Sequence, residues 1–173
     1  MLNATLTSNN EVVSTIGPGL MVLCGITHSD NILDVESLVP KLLKTRLWGD
    51  DTGKGWAKNV VEHDAQILLV SQFTLYHKLK GTKPDFHDAM NGDEAKELYN
   101  SFLGKLSGEF IEMRKKAKIE TSKVPVLPGS FGNYMNISMT NDGPVTLVID
   151  SVKDPRAVKK MEAMAKRGQG KKN

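Results

Sequence analysis

Ala65-Gln66-Ile67-Leu68-Leu69-Val70-Ser71-Gln72-Phe73-Thr74-Leu75 decides the fold. It is the strongest strand signal in the chain, an apolar run that ends in polar residues. Outward from it lie further short strands. Ala4-Thr5-Leu6-Thr7 alternates, Glu11–Ile16 follows the turn cluster Ser8-Asn9-Asn10, and Leu20–Ile26 reads as a buried strand after Gly17-Pro18-Gly19. Residues 30–47 place Ile32, Val35, Leu38, Val39, Leu42 and Leu43 at helical spacing. Asp30 is expected to cap that helix, and Pro40 to kink or split it. Asn91-Gly92-Asp93-Glu94 has capping-box chemistry ahead of a second helix with the apolar stripe Ala95, Leu98, Tyr99, Phe102, Leu103, Leu106 and Phe110. Residues 49–64 read as a polar connection with a short strand, and 121–130 as a loop set by Pro125, Pro128 and Gly129. Met135, Ile137 and Met139 alternate with polar residues as a strand with one buried face. After the turn Asn141–Pro144, Val145–Asp150 reads as a last strand. The sum is an α+β domain with two principal helices and a mainly antiparallel sheet.

The chain has 173 residues, 39% apolar and 25% charged, which is a globular composition and enough length for one domain with a core. Neither Leu20–Cys24 nor Ile67–Val70 approaches the ~18 residues of a membrane helix. A single cysteine, Cys24, excludes an internal disulfide, and a cytoplasmic protein is expected. The net charge of +3 conceals a division. Residues 1–150 hold 15 Lys/Arg against 18 Asp/Glu, whereas 151–173 hold 8 against 2. Two units are therefore expected: a domain over 1–150 and a basic extension over 151–173, with a short helix near Arg156–Lys166. The extension is either a solvated end or a handle for a polyanion such as RNA.

The four histidines, His28, His63, His77 and His87, have no zinc-motif spacing, and no phosphate loop or nucleophile elbow is present. Ser71-Gln72-Phe73-Thr74-Leu75 is the first candidate site, since polar groups at a strand end can face a ligand. Ser71 or Thr74 as nucleophile is one reading, and His77 is the available base. In a regular strand Ser71 and Thr74 point to opposite faces, which opposes their acting together. Backbone N–H groups polarising a carbonyl oxygen are another reading, and a strand simply running into a loop is the third. The second candidate is Asn141-Asp142-Gly143-Pro144-Val145-Thr146, where the X-Pro bond is either cis or an ordinary trans turn.

At these two segments the chain resembles the D-aminoacyl-tRNA deacylase family. Ser71–Leu75 stands for its Ser-Gln-Phe-Thr-Leu signature, and Asn141–Thr146 for Asn-x-Gly-Pro-Val-Thr. Ile16–Leu20, Lys80–Phe86 and Phe131–Met135 also look like family segments, and the match runs in order from Ala4 to Asp150. The resemblance implies a barrel-like fold, a homodimer with its active site at the interface, and tRNA as partner, with no membrane. It implies hydrolysis of the ester of D-aminoacyl-tRNA, a chiral proofreading step that also accepts glycyl-tRNA. Ser71, Gln72, Phe73 and Thr74 take catalytic positioning and oxyanion roles, with Leu75 beside them. Gly143 and Pro144, by analogy joined by a cis bond and preceded by Asn141, enter the partner's pocket and reject L side chains. Phe131, Tyr134 and Met135 receive the terminal adenosine or the aminoacyl group. No metal or organic cofactor is implied.

Three departures from the family pattern lead to expectations. The apolar strand that usually precedes the Ala4 segment is missing, which should expose a sheet edge and cost stability. Ser122–Pro128 looks like an insertion that lengthens a loop beside the pocket. The basic extension is expected to add nonspecific tRNA affinity.

Overall fold

The computed structural model describes residues 1–151; the helix expected near Arg156–Lys166 lies outside the described residues. The elements in chain order are β1 (Asn3–Ser8), β2 (Glu11–Ile16), β3 (Gly19–Cys24), α1 (Ile32–Lys44), β4 (Arg46–Trp48), β5 (Lys58–Asn59), β6 (Gln66–Ser71), β7 (Lys78–Lys80), β8 (Lys83–Asp85), α2 (Gly92–Lys116), β9 (Val126–Pro128) and β10 (Asn136–Thr140). A 3-10 turn covers Phe73–Leu75.

β6 organises the molecule. Ile67, Leu68, Leu69 and Val70 are all buried, because both faces of this strand are covered. That is why its sequence is a continuous apolar run rather than an alternation. β6 pairs in parallel with β3 on one side and β9 on the other. One face of this sheet, through Ile67 and Leu69, packs on α1 and α2 around Val39, Leu43, Phe102, Leu106 and Phe110. The other face, through Leu68 and Val70, packs on Ala4, Leu6 and Ile16 of an antiparallel sheet of order β10-β1-β2. The layers are thus helices, parallel sheet and antiparallel sheet. No closed barrel forms among the described residues.

Several expectations need correction. Pairing is antiparallel in the β1–β10, β1–β2, β4–β5 and β7–β8 ladders, but the central sheet is parallel. Residues 121–130 are not wholly a loop: β9 lies inside them and completes the parallel sheet, with Gly129 N–H bonding Leu69 O at 2.7 Å. Asn31, not Asp30, caps α1; its side chain accepts from Leu33 N–H, and Asp34 bonds back to Asn31 N–H. Asp30 instead accepts from Thr27 N–H at 2.9 Å. α1 runs through Pro40 without splitting, with Val35, Val39 and Leu43 buried along its length. The box expected at α2 does not close, since the Asn91 side chain makes no capping bond.

Val145–Asp150 forms no strand. A strand needs a neighbour for its N–H and C=O groups, and no ladder of the described residues includes this segment. Pro144, lacking an N–H and confined to negative φ, also suits a two-residue hairpin turn poorly. Val148 is 95% exposed.

Candidate active site

β3 and β6 end together, with Cys24 opposite Ser71 in register. The last bond of this ladder runs from Gln72 N–H to Cys24 O at 2.8 Å. Beyond it the chain has no strand to follow and turns. Leu75 N–H bonds Gln72 O at 3.2 Å and Tyr76 N–H bonds Phe73 O at 3.0 Å. The strand expected through Leu75 therefore stops at Ser71, and the parity argument separating Ser71 from Thr74 does not apply. Gly25 permits the turn to fold back: a Cβ there would stand 3.0 Å from Leu75 Cβ and 3.1 Å from the Tyr76 ring. In the sequence Gly25 is marked only by its position directly after the apolar run Leu20–Cys24.

The turn exposes donors. The N–H groups of Phe73 and Thr74 meet no partner among the described residues. Gln72 Nε2 donates to Thr74 Oγ1. The Thr74 hydroxyl, accepting from Gln72, keeps its own hydrogen to donate elsewhere. Phe73 is 60% exposed and meets the Phe86 ring edge-on at 5.1 Å.

Among the described residues no base bonds the Ser71 or Thr74 hydroxyl. His77 Nδ1 lies 3.0 Å from the Thr74 carbonyl oxygen, so that nitrogen carries the hydrogen and is spent on the backbone. Cys24 is pushed up to about 12, first by burial and then by the Asp30 charge, and stays a thiol. Tyr76 is likewise raised to about 12 by burial, followed by the charges of Asp30 and Asp150, and stays a phenol. Among the described residues no three His, Cys, Asp or Glu side chains are grouped to hold a metal ion. No helix among them is long and apolar enough to cross a membrane.

The other predicted site residues are scattered. Phe131 packs on Tyr99 with ring centroids 5.3 Å apart, on the helix side of β6, where Tyr99 Oη donates to Leu69 O at 2.7 Å. Met135 lies on the opposite side, its sulfur accepting from Ser130 N–H at 3.3 Å. Both are partly buried against the core. Tyr134 is 83% exposed, and its carbonyl accepts from Ser8 Oγ.

Asn141–Thr146 is exposed throughout. The Gly143–Pro144 bond is trans, contrary to the expected cis bond. Gly143 has φ +112°, a conformation that favours glycine. The nearest atoms to a Cβ at Gly143 belong to Val145, not to the strand end. Surface hollows of about 450 Å³ beside Arg114 and about 320 Å³ beside Met90 are lined by neither candidate segment.

Free N–H groups at a strand end can polarise a carbonyl oxygen. Comparison with known proteins makes the class specific. The family model described as D-Tyr-tRNA(Tyr) deacylase matches residues 1–150. The chain is 48% identical over 148 residues to a D-aminoacyl-tRNA deacylase of Drosophila melanogaster, covering 86% of each chain. It is 41% identical over 170 residues to D-aminoacyl-tRNA deacylase 1 of Homo sapiens, covering 95% of this chain and 76% of the human one. Its fold matches the solved structure of the c-Myc DNA Unwinding Element Binding Protein with a TM-score of 0.72 and 42% identity, over 84% of this chain and 91% of the other. The chain belongs to the D-aminoacyl-tRNA deacylase family.

Proposed function

We propose that this chain hydrolyses the ester joining a D-amino acid to the 3′ end of tRNA, with the active site completed between two copies. Residues 1–150 are the catalytic domain, and the reaction takes place in the cytoplasm with aminoacyl-tRNA. Ser71–Leu75 of one copy holds the ester. The Phe73 and Thr74 N–H groups and the Thr74 hydroxyl receive the carbonyl oxygen as it gains negative charge. Water adds to the carbonyl carbon, and the bond to the ribose oxygen breaks. That oxygen takes a proton as free tRNA leaves, and the ribose 2′-hydroxyl assists the transfer.

Asn141–Thr146 of the second copy supplies the chirality filter. Main-chain carbonyls around Gly143-Pro144 accept from the substrate ammonium group and leave no room for an L side chain. Glycine passes because it has no Cβ to reject. The barrel-like closure and the recognition roles of Phe131, Tyr134 and Met135 belong to the same assembled state. Residues 151–173 add nonspecific affinity for tRNA.

One observation carries this reading. Among the described residues no hydrogen bond or ring contact joins the two signature segments: Ser71–Leu75 is built onto the core, while Asn141–Thr146 is exposed. A Thr74 nucleophile is disfavoured because His77 binds the Thr74 carbonyl rather than its hydroxyl. The test is deacylation of matched D-Tyr-tRNA and L-Tyr-tRNA. Release from the D ester alone is expected. Equal release from both, or from neither, would remove the reading.

A further inference from the structure

The chain leaving the strand end enters a hairpin, β7–β8, whose register is informative. Lys78 faces Asp85, Leu79 faces Pro84, and Lys80 faces Lys83. Side chains at alternate positions of a strand, and at paired positions across it, share a face. Lys78, Lys80 and Lys83 therefore stand on one face together with Asp85, with Leu79 and Pro84 on the other. Two lysines directly opposite each other repel. Core packing does not impose this arrangement, since all of residues 78–83 are exposed.

Two of the three lysines have acidic neighbours. Lys78 Nζ lies 2.6 Å from Asp88 Oδ2, and Lys80 pairs with Asp85. Exposed pairs of this type contribute little and exchange readily. Lys83 has no ion-pair partner among the described residues. These pairs therefore leave the lysines available to a stronger anion.

The hairpin is also fixed relative to the strand end. Phe86 abuts Phe73, Thr27 Oγ1 donates to Asp88 O at 2.6 Å, and Met90 N–H bonds Ile26 O at 2.9 Å. Three residues separate Thr74 from Lys78, so four chain steps span at most about 14 Å. An ester held at Thr74 is attached to a nucleotide chain with one negative charge per residue, and a cationic face this close is within reach of it.

We propose that the lysine face of β7–β8 grips the phosphate backbone of the tRNA acceptor end and so orients the ester toward Ser71–Thr74. The proposal rests on the reading of the substrate as tRNA. It deepens that reading by assigning a backbone contact to Lys78, Lys80 and Lys83, independent of base sequence.

The experiment measures binding of uncharged tRNA to the full 173-residue chain by fluorescence anisotropy across a salt series. The K78Q/K80Q/K83Q variant is expected to lower the slope of log affinity against log salt by about 2 to 3 and to weaken low-salt binding at least tenfold. The matched K96Q/K105Q/K115Q variant on α2 removes the same charge and is expected to move the slope by less than about 1. Arginine at all three hairpin positions is expected to restore the slope, which separates lost charge from lost folding. An unchanged slope in the hairpin variant, an equal change in the α2 variant, or no tRNA binding by the unaltered chain would overturn the proposal. Because binding is read without chemistry, failure of D-Tyr-tRNA hydrolysis by the unaltered chain would strike the proposed reaction and leave the hairpin result readable.

Discussion

The two signature segments differ in what holds them. Ser71–Leu75 continues a strand buried on both faces, is tied to Cys24 by a ladder bond, and is backed by Gly25 and Phe86. Asn141–Asp150 carries Val145, Leu147, Val148 and Ile149, yet all four are exposed. The first segment is preorganised by its own chain. The second carries apolar side chains that stay exposed, and it is tied at its end, where the Asp150 carbonyl accepts from Lys41 Nζ at 3.3 Å. On the proposed reading a site takes one segment of each kind, so stability and activity should separate between them.

The largest separation is expected in stability. Leu106 is fully buried beneath the parallel sheet, and Leu106→Ala should cost about 3 kcal/mol in denaturant unfolding. Val148→Ala should change unfolding by less than about 0.5 kcal/mol, because Val148 is 95% exposed. A large loss at Val148 would mean that the segment packs within its own chain.

Activity should invert that order. Gly25→Ala pushes a Cβ into Leu75 and Tyr76, and a displacement of the turn by about 1 Å should lower deacylation of the D ester about a hundredfold. Gly143→Ala should lower it comparably, since φ +112° disfavours alanine, while leaving the melting temperature nearly unchanged. Full activity in Gly143→Ala would detach the second segment from the chemistry.

Thr74 gives a smaller effect. Thr74→Ala removes one donor of the three proposed and should lower kcat by no more than about a hundredfold, with Thr74→Ser restoring most of it. Mass spectrometry of quenched reactions should find no acyl group on Thr74. A trapped adduct would replace the account with a nucleophilic one.

The smallest effect lies away from both segments. His63 stacks on Trp48 at 4.8 Å, and burial, aided by Lys58, lowers its pKa below the ordinary 6.5. The unfolded chain then takes up a proton more readily than the folded one. The stabilisation from neutral His63 is present above 6.5 and is lost as the pH falls through the lowered folded value. His63→Phe keeps the stack and should narrow the difference in melting temperature between about pH 8 and pH 5. An unchanged difference would assign the acid sensitivity to other groups.

Much of this was legible in the residues. The continuous apolar run of β6 marked the centre of the fold, and the 3.6-residue stripes marked both helices. The strand end was legible because its polar residues interrupt that run. The parallel pairing was not, since register between β3, β6 and β9 depends on segments far apart in sequence. The proline-containing 121–130 stretch hid β9 for the same reason: its pairing partner, not its composition, makes it a strand. The state of Asn141–Asp150 escaped because alternating apolar residues state a capacity to pair, and only a neighbour realises it. The lysine face of β7–β8 emerged only from cross-strand register.

The central claim is that the two segments complete one another between copies. Mixing two impaired chains tests it most directly. One chain carries Gln72→Ala and Thr74→Ala, the other carries Gly143→Ala, and they are exchanged through mild denaturant before assay on D-Tyr-tRNA. If the segments meet in trans, each mixed dimer holds one unaltered site, and activity should return to roughly a quarter of that of the unmodified chain. If activity stays at the sum of the separate variants while mixed dimers are shown to form, the segments act within one chain, and the account is wrong.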